Sequence, residues 1–234
     1  AAAAGSGAVV VRARFTAGLA ARFGLDTDGD GVIDLPNTAQ YVAAGQAAGC
    51  GEACPPRFRL QLDAAESSAE MGGGRLVIRS YRWLVTGAKG LRILRRAAAP
   101  RLELLLPEGR YRVALEVEAS LPWGSARGRT EREVAVEDLL VVAIGDSYAA
   151  GEGNPEQPRS SGVAARWADG AGDPGVEEAH AAAHRSSSAW PALVALTLEQ
   201  RDPATSVTFV SVAASKAQIA AGLLGPQPGV SGVA

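Results

Sequence analysis

The sequence predicts a multidomain β plus α/β protein: a β-sandwich followed by the opening of an α/β domain. Three observations predict it. Short segments between Val9 and Val136 are apolar at every second residue. A uniformly apolar hexapeptide at 139–144 (Leu-Leu-Val-Val-Ala-Ile) then breaks that alternation. A long polar stretch, a helical pattern and another apolar segment come after it.

The first element is Val9, Val11, Ala13 and Phe15, alternating with Arg12 and Arg14. Phe58, Leu60 and Leu62 alternate with Arg57, Arg59 and Gln61, and Tyr81, Trp83 and Val85 flank Arg82. Tyr111, Val113, Leu115 and Val117 alternate with Arg112, Glu116 and Glu118, and Val134 and Val136 sit among Glu133, Ala135 and Glu137. Period two with one charged face predicts half-buried antiparallel strands. Turn residues separate them: the glycines 72–74, Gly87, Pro107-Glu108-Gly109 and Gly124. That spacing favours a sandwich, with Trp83 and Tyr111 in its core.

Residues 139–144 read as a strand buried on both faces, as in a parallel sheet covered by helices. A Gly-rich polar stretch occupies 151–187. Trp190, Leu193, Val194, Thr197 and Leu198 then recur at helical spacing. Ser188 is placed to cap that helix, Pro191 fits its first turn and Pro203 stops it. Residues 207–212 predict a second strand, and 216–224 a short helix ended by Gly225-Pro226. Strand, long loop, helix, strand, helix is how a doubly wound α/β domain begins. The expected division is 1–56, a strand and an Asp-rich loop packed on the sandwich; 57–138, the sandwich; and 139–234, an incomplete α/β domain.

Composition excludes several functions. The 234 residues carry a net charge of −2, which argues against a general nucleic-acid or polybasic membrane binder. No apolar run reaches the roughly 18 residues of a transmembrane helix. Two histidines (His180, His184) and two cysteines (Cys50, Cys54) nearly exclude a four-ligand zinc finger. Lys89 and Lys216 are the only lysines, which reads as GC-rich coding DNA. The chain starts without Met and without a charged segment before an apolar one, so it reads as a mature form or an internal fragment.

Two motifs carry chemistry. The first is Gly145-Asp146-Ser147 at the carboxyl end of the apolar strand, where open α/β sheets hold their sites. A serine there needs a nearby base to act as nucleophile, and its own amide is suited to hold an oxyanion. The second is Asp26-Thr-Asp28-Gly-Asp30-Gly-Val32-Ile-Asp34-Leu-Pro-Asn37. In the order of an EF-hand-like loop, Asp26, Asp28 and Asp30 supply carboxylates, Val32 a carbonyl, Asp34 the ninth position and Asn37 the twelfth. Asn in place of Glu at the twelfth position predicts modest affinity for calcium, whose expected role is structural. Cys50 and Cys54 are four apart, which suits a small-loop disulfide in an extracellular chain.

The stretch 57–138 resembles a PKD-type immunoglobulin-like domain. The carrying residues are Phe58-Arg-Leu-Gln-Leu-Asp-Ala64, Ser80-Tyr-Arg-Trp83 and the segment 106–117, Leu-Pro-Glu-Gly-Arg-Tyr-Arg-Val-Ala-Leu-Glu-Val. A sharper resemblance covers 138–234. Ile144-Gly-Asp-Ser-Tyr-Ala-Ala-Gly-Glu-Gly-Asn-Pro155 resembles the first block of SGNH (GDSL-type) hydrolases of the secreted actinobacterial esterase and lipase kind. His184-Arg-Ser186 resembles the family's Cys-His/Phe-Arg-Ser segment, in which the histidine is structural. Ala214-Ser-Lys-Ala217 stands where the family has Cys-Ser-Gly-Ala, its second block. Gly222-Leu-Leu-Gly-Pro-Gln227 resembles the sequence after that block.

The resemblance implies a flavodoxin-like α/β/α domain that hydrolyses carboxylic esters through an acyl-enzyme. Ser147 is then nucleophile and first oxyanion donor, Lys216 offers a backbone donor at the family's Gly position, and Asp146 is structural. Ala183 and Ala214 replace two cysteines that are typically bridged, so one disulfide is lost whole. The chain has neither a Gly-x-Asn-Asp block nor an Asp-x-x-His beyond these segments. The catalytic His is therefore not in this chain, and the isolated chain is expected to be inactive. The expected partners are an ester substrate (lipid or acylated carbohydrate) and either further chain or a partner covering the incomplete sheet, in a secreted bacterial protein. The rival reading is a non-catalytic, calcium-binding extracellular adhesion or scaffold module. A carbohydrate-directed deacetylase is a third.

Overall fold

The structure is a computed structural model that describes residues 8–45, 56–222 and 224–225. Cys50, Cys54, Leu223 and residues 226–234 lie outside the described residues. The chain is β-rich and divides into two compact units. The first comprises residues up to 20 together with 57–137, the second 21–56 together with 138–234. No helix among the described residues is long and apolar enough to cross a membrane.

The first unit is all β. Its strands are β1 (Val9–Arg12), β2 (Thr16–Leu19), β3 (Arg57–Asp63), β4 (Ser68–Met71), β5 (Gly74–Arg75), β6 (Ile78–Thr86), β7 (Arg92–Ala97), β8 (Arg101–Pro107), β9 (Gly109–Leu121) and β10 (Gly124–Ala143). The last residues of β10 belong to the second unit. β2, β3 and β8 form one sheet; β10, β9, β6 and β7 neighbour one another in a second; β1, β4 and β5 make a small third. The first two share one core of Phe58, Leu60, Leu62, Trp83, Val113 and Leu115, among others. Alternation decides this: the buried residues occupy every second position, and each contributes about 1.5–3 kcal/mol of apolar burial.

The outer faces carry cross-strand ion pairs, such as Arg59 to Glu103 at 3.0 Å and Arg96 to Glu118 at 3.1 Å. Exposed pairs of this kind stabilise by well under about 1 kcal/mol each, so their main effect is on register. The segment expected as one strand over 9–15 is broken at 13–15. There it passes from β1, which pairs β4, to β2, which pairs β3. Phe15 turns inward at the break and meets Trp83 edge-on, 5.4 Å between centroids. Tyr111 Oη donates to the carbonyl of Pro107 at 2.8 Å, a tyrosine corner that fixes the passage from β8 to β9.

The second unit mixes strands and helices: α1 (Thr38–Gly45), α2 (Ser147–Ala150), α3 (Pro174–Ala183), α4 (Trp190–Arg201) and β11 (Thr205–Ser211), beside residues 138–143 of β10. β11 runs parallel to that end of β10. Ser206 Oγ donates to Asp138 Oδ1 at 2.7 Å where both begin, and Val212 N donates to Ala143 O at 2.9 Å where both end. Phe23, Leu35, Ala143, Ala168, Ala192, Ala195, Val207 and Phe209 form its core.

The structure corrects four expectations. Residues 21–45 do not belong to the sandwich but to this unit. Phe23 and Leu35 lie in its core, and Leu35 N donates to Asp169 O at 3.0 Å. Residues 139–144 are not buried on both faces: Leu140, Val142 and Ile144 are 62%, 46% and 57% exposed. Nothing among the described residues of this unit covers them, so the strand is one-sided.

α4 buries Ala192 and Ala195 rather than Trp190, Leu193 and Val194, which face outward. Alanines let the helix backbone lie close to β11, which outweighs the larger side chains. Its N-cap is Ala189, without a side-chain cap from Ser188. Residues 216–222 form turns and an isolated bridge, not a helix, and Lys216 at their start takes a left-handed φ of 67°.

Candidate functional site

Ser147 stands at the first turn of α2, directly after β10. Gly145 (φ 156°) makes the bend; a Cβ there would lie 2.7 Å from the Ala149 methyl. Asp146 caps the turn by accepting Tyr148 N at 3.1 Å. The Ser147 side chain is half-buried, and among the described residues its hydroxyl has no hydrogen-bond partner.

The loop after β11 is tied to this turn. Ala214 N donates to Gly145 O at 3.1 Å, and Ser215 N donates to Ala183 O at 2.9 Å. Lys216 is next, in the left-handed region, a conformation that costs a side-chain-bearing residue about 1–2 kcal/mol and that Gly adopts freely. Among the described residues neither the Ser147 nor the Lys216 amide is claimed by an acceptor. Ala183 and Ala214 are both wholly buried, and the Ser215–Ala183 bond makes their chain segments neighbours. An open groove of about 430 Å³ is walled by Ile144, Trp190, Val212 and Ile219 and by Asp146 and Tyr148, the chain neighbours of Ser147; Ser147 itself does not line it.

Neither histidine is placed against the Ser147 hydroxyl by a hydrogen bond. His180 is buried, with Nε2 at 2.7 Å from Leu35 O, and burial pushes its pKa down to about 4. A neutral ring donating to that carbonyl is therefore its resting state. His184 is the left-handed C-cap of α3 and stacks on Trp167, 4.5 Å between centroids. Its Nδ1 lies 3.5 Å from Glu152 Oε1, and the Ser215 hydroxyl contacts the other Glu152 oxygen. Arg185 is buried and donates from Nε to Ala213 O at 2.8 Å; desolvation lowers its pKa to about 10. Ser186 Oγ donates to Asn154 O at 2.6 Å. The 184–186 segment thus ties the loop after β10 to the loop after β11.

The Asp-rich loop gathers half of its expected ligands. Carboxylate oxygens of Asp26, Asp28 and Asp30 lie within 4.8 Å of one another. Asp26 organises the turn, accepting Gly29 N at 2.7 Å and Gly31 N at 2.9 Å. Asp34 is only 2% exposed and accepts the Thr27 amide at 2.9 Å and hydroxyl at 2.6 Å through Oδ2. Burial raises its pKa, with the neighbouring Asp169 adding to the shift. Asn37 is not turned to the loop. It accepts Gln40 N at 2.9 Å while Gln40 accepts Asn37 N at 2.8 Å, a reciprocal cap on α1. Helix capping claims that side chain, so the expected twelfth ligand is withdrawn.

Sequence reasoning missed Arg166, whose guanidinium contacts Asp30 and lies 3.4 Å from Asp169. It also missed the Glu152–His184–Trp167 cluster. No spacing along the chain signals either, since the partners lie in separate loops. Comparison of the chain with protein-family models, with curated proteins and with solved structures gave no match.

Proposed function

We propose that this chain carries the nucleophile end of an SGNH-type serine hydrolase of carboxylic esters, behind a PKD-like sandwich in a secreted bacterial protein. One observation carries the reading. A half-buried serine at the end of a strand shares a hydrogen-bonded pair of loops with a left-handed residue, and both their amides are unclaimed among the described residues. Ser147 Oγ attacks the ester carbonyl, and the Ser147 and Lys216 amides serve the oxyanion. The largely apolar groove lined by Asp146 and Tyr148, the neighbours of Ser147, is read as the place for the acyl group of a lipid or acylated carbohydrate. Either histidine is engaged elsewhere, so the base comes from outside the described residues. The exposed side of residues 140–144 is read as a face that further chain or a partner covers.

The test is p-nitrophenyl butyrate hydrolysis by the 234-residue chain and by the product of its complete reading frame. The short chain is expected to be inactive. The complete product is expected to turn over and to lose roughly a thousandfold or more in Ser147→Ala. Turnover indifferent to Ser147, or none in either protein, contradicts the reading.

The Asp-rich loop is read as a structural calcium site, because three carboxylates converge there around amides that Asp26 organises. Calcium is expected to raise the melting temperature and a chelator to lower it; superimposable melting curves would sink this part. A non-catalytic adhesion or scaffold module is the second reading. It is favoured by Lys216, whose side chain occupies space that a Gly leaves open. Ester turnover dependent on Ser147 eliminates it.

A further inference from the structure

The net charge of −2, which argues against a polybasic membrane binder, is a sum over two unlike units. The first, residues up to 20 with 57–137, carries 17 Lys and Arg against 10 Asp and Glu, and the second carries 6 against 15. The sandwich is therefore basic, although the whole chain is not. One end of it also exposes two apolar side chains. Trp123 stands in the turn between β9 and β10 and is 72% exposed; Val77, just before β6, is 73% exposed. The Val77 carbonyl accepts Ser120 N at 2.9 Å, next to Leu121 and Gly124, the last pair before that turn. Arginines lie at the same end. The register of β6 on β9 shifts between Ile78 and Ser80, which leaves Arg79 as the odd residue of a bulge. Arg79 is exposed and has no ion-pair partner among the described residues. Arg96, at 3.1 Å, and Arg127, at 3.5 Å, share one carboxylate, Glu118. An open cavity of about 390 Å³ is lined by Arg79, Arg96, Ser80, Ala97, Ala98 and Glu118.

We infer that this end of the sandwich docks on a lipid surface that carries anionic headgroups. Trp123 supplies an apolar ring with a polar N–H, a shape that suits the boundary between water and acyl chains. Val77 leaves water with it, which is favourable in proportion to the apolar area removed. The arginines add what the apolar pair lacks, an attraction to negative headgroups that acts at a distance. Arg79 offers an unpaired fork to a headgroup phosphate, in the cavity it shares with Arg96. Charge alone fits any polyanion; the two apolar side chains select the lipid surface. A single-stranded nucleic acid asks for a row of aromatic platforms, and this end presents one Trp. An anionic polysaccharide engages the arginines and leaves Val77 without a role.

The experiment is cosedimentation of the 234-residue chain with phosphatidylcholine vesicles, with and without phosphatidylglycerol, and melting curves verify that each variant is folded. Binding is expected only where phosphatidylglycerol is present, and it is expected to fall as salt is raised. Trp123→Ala is expected to weaken it by roughly tenfold or more, and Arg79→Gln by roughly fivefold. Lys89→Gln is expected to leave it unchanged, because Lys89 lies past the far end of β6 and beyond the screening length. Absence of binding to both vesicles, binding indifferent to Trp123, or equal losses in Arg79→Gln and Lys89→Gln overturns the proposal. Retention on soluble heparin without binding to vesicles assigns the patch to an anionic polysaccharide and overturns it too. None of these outcomes depends on Ser147 or on the Asp-rich loop.

Discussion

Lys216 and His180 show how single residues record their surroundings. Lys216 holds a left-handed φ of 67°, where a Cβ is strained and Gly is not. Lys216→Gly is therefore expected to keep the full stability of the chain despite Gly's greater freedom when unfolded. Lys216→Val is expected to lose about 1–2 kcal/mol, read from urea unfolding. His180 is held neutral by burial, with a pKa of about 4 rather than 6.5. The unfolded chain therefore binds more protons between those values. Stability is complete above about pH 6.5, falls as pH drops through the window, and levels off below about 4, a loss of roughly 3 kcal/mol. His180→Gln is expected to flatten the slope between pH 6.5 and 4; an unchanged slope assigns the titration to another group. The turn at Ser147 was legible from its place after an apolar run, and the convergence of Asp26, Asp28 and Asp30 from their spacing. Asn37 was misread because capping and ligation use the same side-chain oxygen, and only the Gln40 partner distinguishes them.

Among the elements, strands were the more legible because their period of two is local. Phe58, Leu60 and Leu62 are buried where alternation puts them. The buried face of α4 was not legible from the large residues at helical spacing, because small ones, Ala192 and Ala195, make the close approach. The 139–144 strand looked two-sided because composition reports apolarity, not what lies opposite. The loops after β10 and β11 invite a sharper test. Ala183 and Ala214 are buried, and their segments are joined by the Ser215 N to Ala183 O bond. The double variant Ala183→Cys/Ala214→Cys is expected to oxidise spontaneously and to gain about 2–4 kcal/mol over its reduced form. Failure to oxidise would remove the structural parallel with the bridged cysteines of the SGNH resemblance.

At the scale of the whole molecule the chain is two units whose sequences interleave. Residues 8–20 and 57–137 build the sandwich, while 21–45 return to the unit that holds Ser147. This interleaving was not legible, because the Asp-rich loop is close in sequence to β2 and distant in sequence from Asp169, to which it is bonded through Leu35. It makes the proposed calcium effect local. In hydrogen exchange, calcium is expected to protect residues 26–34 and 166–171 and to leave β3 and β8 unchanged. Protection spread over the sandwich would contradict the assignment. The most direct test of the hydrolase reading concerns Ser147. The product of the complete reading frame would be treated with a fluorophosphonate and the adduct located by peptide mass spectrometry. A single adduct on Ser147 that blocks ester hydrolysis is the predicted result. Hydrolysis that survives labelling, or an adduct on another residue, would contradict it.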